Sequence, residues 1–139
     1  MQRTIKYRAV LVGESKPREV HGIDFLNETI LVEKSGRLEN HDYEHLIQWT
    51  GLHDKNGVEI YEGDIVHYLY KPGEGFWNAD CKATISWKNT GFHIAPFSGN
   101  GMTGWLNSIP GAYPGACEKL FEIIGNIYEN PELLNSSGA

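Results

Sequence analysis

Q-W-T-G-L-H-D-K-N-G-V-E-I-Y-E-G-D-I-V, residues 48–66, is the stretch whose reading decides the fold. Two β-type apolar runs enclose two turn signals, Asp54-Lys55-Asn56-Gly57 and Glu62-Gly63-Asp64. The pattern predicts strand, hairpin turn, short strand, tight turn, strand. Gly57 and Gly63 stand where such turns demand a positive φ. The stretch contains no catalytic set.

Working outward, residues 4–12 alternate Ile5, Tyr7, Ala9 and Leu11 with Lys6, Arg8 and Val10, the period of a half-buried strand. It reads as a basic edge strand able to pair across subunits. Residues 20–25 and 29–33 read as short strands, closed by the turn Ser35-Gly36-Arg37, which gives an antiparallel meander over the first forty residues. Residues 42–46 have helical spacing and predict one or two helical turns capped by Asn40 or Asp42. Downstream, residues 65–70 carry bulk on both faces, as a central strand does. Residues 71–75 are a loop tip, 81–87 and 92–97 a strand pair turned at 88–91, and 98–117 a long, partly ordered surface loop. Residues 120–124 form a last strand, broken by Gly125-Asn126. Asn130-Pro131-Glu132-Leu133-Leu134 reads as a helical turn with Asn130 as N-cap and Pro131 at its first position.

The expected fold is therefore mainly β: small antiparallel twisted sheets or barrel-like, SH3-like subdomains with one or two short helical turns. The 139 residues suit one domain, or an N-terminal β part (1–47) and a C-terminal β part (48–134), with 135–139 a flexible tail. The apolar fraction of 40% and the four Trp and seven Tyr mark a chain that folds. Cys81 and Cys117 form no CxxC and read as separate thiols. No run approaches the roughly 18 apolar residues of a membrane span, and residues 1–6 lack an apolar h-region, so a soluble, cytoplasmic protein is expected.

The net charge of −6 is unevenly spread. The first twenty residues hold five basic groups (Arg3, Lys6, Arg8, Lys16, Arg18) and two acids (Glu14, Glu19), a balance of +3 that leaves −9 for the rest. An acidic body repels phosphate backbones, which disfavours sequence-independent nucleic-acid binding.

Each string that could carry chemistry has a plainer reading beside it. His41 and His45 are spaced i, i+4, as two ligands on one helix face would be, but no third ligand follows, and two surface histidines suffice. Residues 99–104 match G-x-G-x-x-G, yet the helix that would receive a pyrophosphate is missing before Pro110; no cofactor is expected. Glu62 and Asp64 could work as acid and base or hold a cation, but a tight turn wants the same residues. Trp49, Tyr61, Tyr68, Tyr70, Trp77, Trp87 and Phe92 could stack bases on a small barrel; packing explains them with fewer basic neighbours required.

Three blocks, Ile5-Lys6-Tyr7-Arg8-Ala9, residues 48–66, and residues 124–134 (I-G-N-I-Y-E-N-P-E-L-L), resemble the YopX family of phage and prophage proteins in order and spacing. The motif T-G-L-x-D-x-N-G-x-E-I-Y-E-G-D-I-V is the most specific part. Departures are Val10, where the family often has Trp, and His53, where Lys is usual; the three blocks leave residues 67–117 unaligned. The resemblance implies a mostly β protein from a mobile element acting in the bacterial cytoplasm, and it carries no catalytic residues. The matching positions are Thr50, Gly51, Leu52, Asp54, Asn56, Gly57, Ile60, Tyr61, Glu62, Gly63, Asp64, Gly125, Asn126, Tyr128, Asn130 and Pro131, which read as structural.

These observations lead to a non-catalytic interaction protein, self-associating and engaging a host or phage protein, with Lys6, Arg8, Trp77 and Trp105 as its candidate surface. Two alternatives stay open: a single-stranded nucleic-acid-binding small barrel, and a metal-dependent hydrolase using Glu62, Asp64 and a histidine.

Overall fold

A computed structural model describes residues 4–70, 79–88, 91–98, 104–105 and 121–135. The chain divides into two compact units, Met1–Trp49 and Thr50–Ala139. The described residues form twelve strands and one helical element, a 3₁₀ turn at Pro131–Asn135, which takes in the first residue of the expected tail. Small antiparallel sheets result, and none among the described residues closes into a barrel.

In the first unit, β1 (Tyr7–Leu11) lies between β2 (Arg18–Glu19) and the start of β6 (Tyr43–His53). β3 (Gly22–Asp24), β4 (Thr29–Lys34) and β5 (Arg37–His41) form a separate three-stranded meander. Ala9, Leu11, Ile30 and Val32 make the buried core, packed by Val20, Ile23, Tyr43 and Leu46.

Two expectations for this unit fail. β1 is an interior strand and not an edge, because the two residues of β2, too short to show a period, cover its outer side. Residues 42–46 are not helical, so neither Asn40 nor Asp42 is a cap: the segment opens β6. Val10 pairs with His45 and Leu11 with Tyr43, which leaves Glu44 as an extra residue. That bulge turns Tyr43 and Leu46 onto the same core, so a strand acquires the i, i+3 spacing of a helix.

In the second unit, the end of β6 pairs with β7 (Glu59–Tyr61), while β8 (Asp64–Tyr70), β9 (Ala79–Lys88), β10 (Gly91–Ser98), β11 (Gly104–Trp105) and β12 (Glu122–Asn126) form a sheet in the order β11-β10-β9-β8-β12. β8 is flanked on both sides, as its two bulky faces predict. Alternate residues Val66, Tyr68, Cys81, Ala83, Ile85 and Ile94 supply one face of a core closed by Ile60 and Phe121. Gly125-Asn126 does not break the last strand. Ile123 pairs with Val66 and Gly125 with Ile65, so Ile124 is a bulge and the ladder runs on to Asn126. The loop tip at 71–75, the Asn89-Thr90 turn, Cys117, the expected tail beyond Asn135 and most of 98–117 lie outside the described residues. Gly104 and Trp105 of that last stretch are paired with Ile94 and His93.

Candidate functional site

The signature positions converge on the second unit, and the geometry there begins with Asp54. Its side chain is 2% exposed. Oδ1 accepts the backbone N–H groups of Asn56 (2.9 Å) and Val58 (2.9 Å), and Oδ2 accepts that of Ile123 (3.0 Å). One carboxylate thereby shapes the β6–β7 turn and bonds it to β12. The Lys55 N–H adds a bond to the Phe121 carbonyl at 2.8 Å. Burial alone would raise the Asp54 pKa, but the three N–H donors outweigh it and hold the group below the usual carboxylate value. Gly57 closes the turn at φ 81°, as its place in the sequence requires.

Around the second turn, Asp64 Oδ2 accepts the Tyr61 N–H at 2.7 Å. Gly63 adopts φ 89°, donates its N–H to the Ile85 carbonyl (2.7 Å) and accepts the Ile127 N–H (2.9 Å). A Cβ at Gly63 would lie 2.6 Å from Cε2 of Tyr128. The Tyr128 phenol is half-buried; burial, then the charges of Glu62 and Asp64, push its pKa up. Asp64 serves the turn, and Thr50 Oγ1 donates to the Ile60 carbonyl at 2.7 Å, joining β6 to β7.

The C-terminal block is a clasp. Asn126 Oδ1 accepts the N–H groups of Tyr128 (3.0 Å) and Glu129 (2.8 Å), and Asn130 Oδ1 accepts the Asn126 N–H at 3.2 Å. At the head of the turn at Pro131 the Asn130 carbonyl accepts the Leu133 N–H at 3.0 Å. Gly125 is present for close approach, since a Cβ there would lie 2.5 Å from Asn130 Oδ1.

Of the candidate surface residues, Lys6 and Arg8 are engaged within the first unit. Lys6 stacks over the Trp49 ring at 4.8 Å, and Arg8 pairs with Glu19 at 2.9 Å. Arg18 holds Glu14 at 2.6 Å, and Lys34 approaches the same acid at 3.5 Å; the Arg18 bond leads the causes that lower the Glu14 pKa. The basic excess of the first twenty residues is thus largely engaged within its own unit. Trp77 lies outside the described residues, and Trp105 is placed only by its backbone pairing with His93.

His41 and His45 sit on different strands, β5 and β6, and His41 Nε2 lies 2.9 Å from Glu39. Among the described residues no three His, Cys, Asp or Glu side chains are grouped as metal ligands. Gly104, the end of the G-x-G-x-x-G string, begins a strand and not a helix.

A surface that the sequence reading missed lies on the first unit. Asp24 Oδ1 accepts the N–H groups of Leu26 (3.1 Å) and Asn27 (3.0 Å), fixing a turn that holds Phe25 and Leu26 83% and 90% exposed. Phe25 also lines an open cavity of about 500 Å³ with Ile5, Tyr7, Val20, His21 and Ile23. Two consecutive apolar residues in a turn were its only sequence signal.

The architecture is that of a small all-β protein whose central motif locks one sheet. The family model described as YopX protein matches residues 6–135, and the chain belongs to the YopX family. Among solved structures it is similar to the crystal structure of protein EF1440 from Enterococcus faecalis, at 25% identity over 96% of this chain and 99% of that chain, with a TM-score of 0.58. No curated protein matches it. No helix among the described residues is long and apolar enough to cross a membrane.

Proposed function

We propose that this YopX-family protein is a non-catalytic, self-associating interaction module of a phage or prophage, acting on a host or phage protein in the bacterial cytoplasm. The observation that supports the reading is the Phe25-Leu26 turn, an apolar pair held out to solvent by Asp24 beside an open cavity. Exposed apolar groups clustered at one rigid turn are what a protein partner covers. The signature carboxylates Asp54 and Asp64 are already engaged by backbone N–H groups, which suits a scaffold role.

The test is native mass spectrometry of tagged protein recovered from its host during prophage induction, with and without nuclease. A stoichiometric protein partner that survives nuclease, and is lost from Phe25→Ser/Leu26→Ser, is expected. A complex abolished by nuclease would replace this reading with single-stranded nucleic-acid binding.

A further inference from the structure

β5 is the outer strand of the three-stranded meander, and no described strand pairs with its far side. Its five residues, Arg37-Leu38-Glu39-Asn40-His41, contain no proline and pair with β4 in unbroken register, Lys34 with Arg37 through Ile30 with His41. The hairpin loop between them has two residues, Ser35 (φ 53°) and Gly36 (φ 80°), the type I′ geometry that suits the strand twist.

The register fixes where the backbone points. In a two-residue hairpin the flanking pair exchanges its hydrogen bonds, so Arg37, Glu39 and His41 face β4. The same phase follows from β3, because the His21 N–H reaches the Leu31 carbonyl and Leu31 therefore faces away from β5. Leu38 and Asn40 direct their N–H and C=O groups outward, an open template for another strand. Leu38 is 56% exposed.

The charges select the occupant. Lys34 lies directly opposite Arg37 on β4 and is itself engaged by Glu14, so Arg37 faces a like charge. Glu39, two residues on, projects from the same face of the strand. In an antiparallel pair centred on Leu38, Arg37 of each strand stands opposite Glu39 of the other, at the close side-chain spacing of a non-hydrogen-bonded pair. Leu38 then meets its own copy, and Asn40 meets Gly36. Charges on an outer strand commonly repel foreign strands. Here the same two charges complement a second copy.

We infer that β5 is a self-association edge, at which two copies of this chain pair antiparallel about Leu38 and join their meanders into one six-stranded sheet. The inference rests on the self-association part of the proposed function and names its surface.

Sedimentation velocity over a wide concentration range tests it with the full chain, folding of each variant being checked by circular dichroism. Wild type is expected to dimerise. Arg37→Glu places Glu opposite Glu, and Glu39→Arg places Arg opposite Arg, so each alone should self-associate about ten-fold more weakly or less. An equimolar mixture of the two variants restores both opposite-charge pairs and should form the heterodimer. A wild-type dimer that neither variant weakens, or a mixture without rescue, overturns β5 as the edge and leaves self-association standing. A wild type that stays monomeric throughout overturns both.

Discussion

In the unit Thr50–Ala139, Asp54 is buried and gives both carboxylate oxygens to backbone N–H groups, one of them 69 residues away. In the unit Met1–Trp49, Glu14 and Glu19 stay at the surface and pair with Arg18 and Arg8. The difference is one of replaceability. A surface carboxylate lost from an ion pair is replaced by water, whereas a buried one leaves several backbone donors short of their partner at once. The first arrangement leaves a surface adjustable; the second makes a motif stringent.

The comparison breaks first at Asp54. Asp54→Ala, which strands three backbone N–H groups, should cost about 3–5 kcal/mol in urea unfolding. A cost below about 1 kcal/mol would show that the carboxylate is no lock. The same group sets an acid limit. Its pKa is lower folded than unfolded, so its contribution is complete above the ordinary carboxylate value, about 3.9, and disappears as pH falls through the lower folded value. Stability measured from pH 6 downward should therefore fall less steeply below pH 4 in Asp54→Ala than in wild type.

Gly63→Ala comes next. It carries both a left-handed backbone and a Cβ meeting Tyr128 at 2.6 Å, and should cost about 2–3 kcal/mol. Gly36→Ala has the same sign of φ but nothing within 4 Å, so about 1 kcal/mol is expected. Equal melting-temperature losses for the two glycines would erase the distinction between a packed turn and a free one. The smallest effect belongs to the first unit. Arg8→Ala removes a solvent-exposed pair and should change stability by less than about 1 kcal/mol.

Turn chemistry made the two turns of residues 48–66 legible, because Asp-Lys-Asn-Gly and Glu-Gly-Asp announce their backbone geometry locally. Both misread segments hold a bulge. At Glu44 the extra residue shifts the alternation by one, so the strand took on helical spacing; at Ile124 the ladder runs on past the bulge through Gly125-Asn126, whose residue types alone signal a break. The Asp54 bond to Ile123 and the Gly63 contact with Tyr128 join the central motif to the C-terminal block through space, which no local period encodes. The outer position of β5 was equally hidden, since a five-residue polar strand has no apolar alternation to mark it.

The span between Asp54 and Ile123 also orders events in time. The β3-β4-β5 meander closes over a few residues, and such local hairpins form within microseconds. A bond across 69 residues waits until the chain between its ends has been gathered in. Asp54 is thus expected to act as a latch set late: Asp54→Ala should raise the unfolding rate, read in the unfolding limb of a chevron plot, and change the folding rate little.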